Sequence, residues 1–168
     1  MAAGYSASRP GRRASSIAAR IRRIASDGTL ETLVDKTAGQ INRIVETVTA
    51  AGRRMLLTRL DESRHAALDE NVRALLDYDP LSATARVGAA MPPGGPARVA
   101  IVCAGTSDLR VAREAVRTLE YYGEGVAEFN DVGVAGLHRL LSRIDAIRSH
   151  EVVIAVAGMD LSLIHISE

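Results

Sequence analysis

The sequence has no tryptophan, one cysteine, one lysine, and aromatic side chains at only 3% of its 168 positions. A lone cysteine excludes an intramolecular disulfide and any multi-cysteine zinc or iron–sulfur site, and it fits a reducing compartment. With so few rings, the stacking platforms that hold single-stranded nucleic acids are missing. An excess of either charge is missing too: 21 basic against 20 acidic residues leave a formal net charge of +1. That balance gives no general electrostatic case for nucleic acid or an anionic membrane as partner. No apolar run approaches the roughly 20 residues needed to cross a bilayer. Hydrophobic residues at 47% and charged ones at 24% are globular proportions rather than disordered ones. The expectation is a soluble, cytoplasmic chain.

The lysine shortage excludes more. A phosphate-binding loop of the G-x-x-x-x-G-K-[ST] type needs its lysine after a glycine-rich turn, whereas Lys36 sits in Val34-Asp-Lys-Thr37. Protein-kinase chemistry needs a strand lysine with a G-x-G-x-x-G loop, and neither is present.

What is there is unevenly distributed. Six arginines and no acid precede Asp27, and Ile17, Ile21 and Ile24 fall at helical spacing within Ser16 to Ile24. Residues 1–28 therefore form a basic segment that reads either as a partner-binding amphipathic helix or, more simply, as a poorly ordered terminus. Residues 29–88 read as a small α/β domain of order α-β-α-β. Thr37 and Gln40 have the spacing of a capping box, Ile41, Ile44, Val45 and Val48 form an apolar stripe, and Gly52 supplies the stop. Met55 to Leu60 reads as a strand. Asp61 is the N-cap of a second helix carrying Ala67, Leu68, Leu75 and Leu76, ended by Asp79-Pro80, and Thr84 to Val87 is another strand. Residues 89–97, rich in proline and glycine, form a linker.

Residues 98–160 change character. Val99 to Cys103 is an unbroken apolar run, the pattern of a parallel strand covered on both faces. A turn leads to a helix over Leu109 to Tyr122, a strand over Gly125 to Phe129, and a helix with Leu137, Leu140, Leu141, Ile144 and Ile147 on one face. A third buried strand runs from Val152 to Val156. The order β-α-β-α-β with short loops predicts a doubly wound, flavodoxin-like parallel sheet. Its strand order is expected to begin 2-1-3. The outer edge of the third strand is then expected to be apolar and open, unless residues 161–168 or another chain cover it.

In such sheets ligands bind beyond the carboxyl ends of the strands. Three loops meet there: Gly105-Thr106-Ser107-Asp108, Asp131 to Gly136, and Gly158-Met159-Asp160. In the first, Thr106 and Ser107 offer hydroxyl donors and the next helix presents unpaired N–H groups to an anion. Phosphate binding and simple helix capping by Ser107 or Asp108 both fit the spacing. In the second, Gly133 and Gly136 permit a tight loop, Arg139 can reach a phosphate or carboxylate, and His138 can transfer a proton or simply be a solvated helix residue. His65, His150 and His165 have no partner at metal-ligand spacing, so no metal site is expected. Cys103, on a buried strand, is expected to be inert.

Three segments, Ala104-Gly-Thr-Ser-Asp108, Asp131-Val-Gly-Val-Ala-Gly-Leu-His-Arg-Leu-Leu141 and Val153-Ile-Ala-Val-Ala-Gly-Met159, resemble the family of the nickel-pincer cofactor biosynthesis protein LarB. That family is related to the aminoimidazole ribonucleotide carboxylase or mutase of purine synthesis. The resemblance implies a nucleotide substrate, nicotinic acid adenine dinucleotide or a ribonucleotide like it. Carbon dioxide or bicarbonate is the co-substrate, and no bound cofactor is expected. It implies carboxylation of the pyridinium ring with hydrolysis of the phosphoanhydride. It assigns Gly105, Thr106, Ser107, Asp108, Asp131, Gly133, Ala135, Gly136, Arg139, Gly158 and Met159 to substrate binding, and His138 and Asp160 to catalysis. Asp160 stands where the family has Glu, and residues 161–168 match nothing in it. The nucleophilic cysteine of the family belongs to a further half-domain, so the resemblance implies a sheet incomplete at its C-terminal half and an inactive chain. Family members are expected to form homo-oligomers.

Overall fold

The computed structural model describes residues 28–133 and 137–158. The basic segment before residue 28, Ala135, Gly136, Met159, Asp160 and the tail 161–168 lie outside the described residues, as do the expectations attached to them. The chain is mixed α/β, with parallel strands and helices arranged around two sheets.

The first sheet begins with β1 (Gly28–Thr32), a strand the apolar pattern does not announce, and continues through α1 (Ala38–Ala50) to β2 (Arg54–Thr58). The capping box forms as its spacing predicts. Thr37 Oγ1 accepts from the Gln40 N–H at 3.4 Å, and Gln40 Oε1 accepts from the Thr37 N–H at 2.9 Å. Ile41 and Val45 of the apolar stripe are buried, with Ile44 and Val48 packed beside them. The helix ends where Gly52 adopts φ +60°.

Asp61 is indeed an N-cap, its carboxylate accepting from the Arg64 N–H at 2.9 Å. The single helix expected after it is not formed. Two short helices, α2 (Glu62–Ala66) and α3 (Glu70–Arg73), are followed by a strand, β3 (Leu76–Asp79). The physical reason lies in Leu76 and Tyr78. Two residues apart, both pack on the core of the first sheet, and Tyr78 stacks on His65 with ring centroids 3.9 Å apart. Asp79 closes a turn rather than a helix, accepting from the Leu81 N–H at 3.2 Å and the Ser82 hydroxyl at 3.0 Å. The chain then returns antiparallel as β4 (Thr84–Val87). Sheet order is β1-β2-β4-β3, with β1 and β2 parallel.

The second sheet holds β5 (Val99–Cys103), β6 (Val126–Phe129) and β7 (Val152–Val156) in the order β6-β5-β7, all parallel. All five residues of β5 are buried, as an apolar run of that length predicts. Its side chains alternate between two cores. Val99, Ile101 and Cys103 meet Ala112 and Val116 of α4 (Leu109–Tyr121). Ala100 and Val102 meet Leu140 and Ile147 of α5 (Leu137–Arg148), together with Phe129.

Leu140 and Ile147 of α5 are buried against β5 and β6, while Leu137 and Leu141 are more than half exposed. One expectation fails here. Strand β7 is not buried on both faces: Val152, Ile154 and Val156 pack on the α4 side, while Val153 and Ala155 on the other are exposed. Among the described residues β7 has β5 as its only strand neighbour, so it lies at the sheet's edge.

Helix α4 touches both sheets. Its Ala112 and Val116 face the second, while Arg113, Arg117 and Glu120 reach the β3–β4 hairpin of the first. Arg117, 5% exposed, donates to the Thr84 hydroxyl at 2.8 Å and to the Asp77 carbonyl, and pairs with the Asp77 carboxylate at 3.2 Å. Burial, with the Arg86 charge alongside, pulls its pKa below the usual arginine value. The segment between the sheets lies against the C-terminal end of α4: the Gly94 N–H donates to the Gly123 carbonyl at 2.9 Å.

Candidate functional site

The carboxyl ends of β5, β6 and β7 carry the three loops singled out by the sequence. After Cys103 the chain leaves the sheet at Ala104 and turns through a single 3-10 turn, Thr106–Asp108, into α4. No side chain caps that turn or the helix behind it. The Asp108 carboxylate instead accepts from the N–H of Gly158, in the loop after β7, at 3.1 Å. A Cβ on Gly158 would lie 2.9 Å from that same oxygen, so a glycine there keeps the contact open.

The second loop is joined to the first through the backbone. Ala104 donates to the Val156 carbonyl at 3.1 Å and accepts from the Gly133 N–H at 2.9 Å, while the Val132 N–H donates to the Cys103 carbonyl at 3.1 Å. Gly133 is buried, and a Cβ placed on it would stand 2.6 Å from the Ala104 oxygen. No side chain fits in that space. Asp131, just before, holds φ +58°, a left-handed conformation that aspartate tolerates better than most residues.

Gly105, Thr106, Ser107, Asp108, Asp131, Gly133 and Gly158 therefore share one rim. Arg139, on the first turn of α5, reaches it through an ion pair with Asp131 at 3.2 Å, both side chains about half exposed. His138 is exposed on the same turn. Gly105 has room for a side chain, its nearest neighbour to a Cβ being Ser107 Oγ at 3.8 Å, so close packing does not demand glycine there.

Cys103 lies beneath the rim, fully buried, with its thiol donating to the Gly105 carbonyl at 3.1 Å. Burial pushes the thiol pKa up, and the negative charges of Asp108 and Asp131 act in the same direction. A buried, protonated thiol is a poor nucleophile. Among the described residues no group of three or more His, Cys, Asp or Glu side chains could hold a metal ion, and no helix is long and apolar enough to cross a membrane.

Three residues matter at the rim that the sequence did not single out. Ala104 ties all three loops through its backbone, and no side-chain pattern announces such a role. Arg113 of α4 and Glu128 of β6 pair at 3.0 Å, on the helix that follows the first loop and the strand that precedes the second. Arg113 lies among the polar residues of α4, and no local pattern marks it out from them.

Fold and rim together define a mixed α/β chain whose strand-end loops gather at the carboxyl edge of a parallel sheet. No family model matches the chain. It is similar to the uncharacterized protein MJ0165 of Methanocaldococcus jannaschii, with 44% identity over 68 residues. The matched stretch is 39% of this chain and 27% of that protein, so the chain spans little more than a quarter of the relative's length.

Proposed function

We propose that the rim binds a ribonucleotide on a doubly wound, flavodoxin-like sheet, and that its chemistry is that of the LarB-like carboxylases its motifs resemble. In this reading the substrate is nicotinic acid adenine dinucleotide or a close relative, and bicarbonate or carbon dioxide is the co-substrate. The observation that carries it is the joining of three loops at one edge: Asp108 receives the Gly158 N–H, and Ala104 receives the Gly133 N–H.

The chemistry of each group follows from its type. The hydroxyls of Thr106 and Ser107, with the positive end of α4, suit a phosphate. The Asp108 and Leu109 N–H groups are bonded to the Gly105 and Thr106 carbonyls within the turn, so the two hydroxyls are the donors this reading relies on. Asp108 and Asp131 would repel a phosphate placed on them. As carboxylates they suit the hydroxyls of a ribose, which can donate to them. Arg139, half engaged by Asp131, supplies the positive charge nearest the second loop. His138, exposed beside it, is the group positioned to exchange a proton with a ligand and solvent.

Cys103 takes no covalent part in this reading, since its thiol is buried and held by the Gly105 carbonyl. These 168 residues contain no other cysteine, so the chain is proposed to bind the nucleotide without turning it over. Calorimetric titration with nicotinic acid adenine dinucleotide tests the reading: saturable binding in wild type, weakened in Ser107→Ala with unchanged folding stability, is the expected result. An intact fold with no heat of binding at millimolar ligand would refute it. Bicarbonate-dependent turnover by this chain would support the nucleotide site but overturn the non-catalytic reading.

A further inference from the structure

Arg113 joins parts of the molecule that the chain keeps far apart. Its Nε pairs with Asp79 Oδ2 of the β3–β4 hairpin at 3.0 Å, and its Nη1 pairs with Glu128 Oε1 of β6 at 3.0 Å. The residue stands five positions after Asp108, on the helix that the first loop opens. Glu128 stands three positions before Asp131, on the strand that the second loop closes. Asp79 is itself fixed, by the Ser82 hydroxyl at 3.0 Å and the Leu81 N–H at 3.2 Å. One turn further along α4, buried Arg117 bonds to Thr84 and Asp77, and Arg86 donates to the Arg117 carbonyl at 2.9 Å. Rotation of α4 about its axis would break these contacts together.

We propose that Arg113, anchored by Asp79 of the first sheet, is a positioning residue of the rim, setting the first loop against the second. The first sheet then serves as a rigid backstop for a site it does not line. A planar guanidinium suits this because its fixed fork addresses two carboxylates at once in defined directions, which a lysine ammonium does not. The consequence for ligand affinity rests on the nucleotide reading above. The consequence for loop order does not.

The test uses the full chain and three variants, Asp79→Asn, Arg113→Gln and their double, with Arg98→Gln as comparison. Arg98 pairs with Glu151 at 2.8 Å before the start of β5, at the end of the sheet away from the rim. Amide hydrogen exchange at residues 105–109 and 131–133 is expected to quicken about fivefold in each single variant, the factor that a pair worth about 1 kcal/mol supplies. The double variant should fall short of the product of the two single effects, because the Arg113–Asp79 contact is common to both. Exchange within β5 and in Arg98→Gln should match wild type at the rim. Affinity for nicotinic acid adenine dinucleotide should fall in parallel, with partial recovery in Arg113→Lys. Unchanged rim exchange in folded Asp79→Asn, or equal quickening in Arg98→Gln, would overturn the proposal. A wild type that binds no nucleotide, with rim exchange still quickened by Asp79→Asn, would refute the nucleotide reading and leave the positioning role standing.

Discussion

Gly133→Ala is the sharpest single perturbation available at the rim. The added Cβ would sit 2.6 Å from the Ala104 oxygen and 3.2 Å from its carbonyl carbon, both backbone atoms. Neither partner is free to retreat. The Ala104 N–H is held by Val156 at 3.1 Å, its oxygen by Gly133 itself at 2.9 Å, and Val132 is bonded to Cys103 one step below. Forcing a methyl into a filled space costs about 1–3 kcal/mol in backbone shifts, and losing the Gly133 hydrogen bond adds about 1 kcal/mol. The expected destabilisation is therefore about 2–4 kcal/mol, a large fraction of the ~5–15 kcal/mol a domain has in total. For a chain of this size that lowers the melting temperature by about 4–16 °C. Urea unfolding followed by circular dichroism measures it, with a lower midpoint at unchanged slope as the signature. Gly39→Ala is the control: nothing lies within 4 Å of its Cβ, and replacing a helical glycine should stabilise by about 0.5–1 kcal/mol. A Gly133→Ala midpoint shift equivalent to less than about 0.5 kcal/mol would refute the close packing of the first two loops.

Other outcomes follow from the same geometry. Asp108→Asn keeps an oxygen for the Gly158 N–H and should leave its amide protected, whereas Asp108→Ala should expose it at a cost of about 1 kcal/mol; equal exchange in both would sink the contact. Burial opposes ionisation of Asp79, but hydrogen bonds from Ser82 and Arg113 outweigh it and hold the carboxyl below its ordinary range. Its stabilisation is therefore complete above about pH 4 and is lost as pH falls through the lowered folded value. Wild type should lose stability from pH 5 to pH 3 more steeply than Asp79→Asn, and parallel urea midpoints would contradict this. Thr37→Ala removes half of the capping box and should lower stability by about 1 kcal/mol, with no change in ligand binding.

The second sheet was easy to read because its signals agree. Val99 to Cys103 is apolar throughout, and the helix and strand that follow lie within a residue or two of their predicted bounds. Thr37, Gln40 and Gly52 marked α1 equally well. The misreadings share a cause. Leu68, Leu75 and Leu76 can be placed on one helical face, and Asp79-Pro80 ends a helix as readily as it opens a hairpin turn. Only the pairing of β3 with β4 and the stacking of Tyr78 on His65 decide the matter, and both are tertiary. For Leu137 and Leu141, helical spacing shows that a stripe exists, not whether anything covers it. At the rim, the place of Thr106 to Asp108, just beyond the end of a buried strand, was readable from that strand. Ala104 acts through its backbone and Arg113 through a distant hairpin, so neither leaves a local trace.

The service of α4 to two sheets has an evolutionary consequence. A surface helix normally keeps one strip facing water, where substitutions accumulate harmlessly, yet only Arg110 and Val111 of the thirteen residues here are exposed. Saturation mutagenesis should find this helix nearly as intolerant as the central strand, and its charged positions as unforgiving as its greasy ones. A segment with almost no neutral positions changes slowly, so among distant homologues α4 should remain recognisable after the loops it supports have diverged.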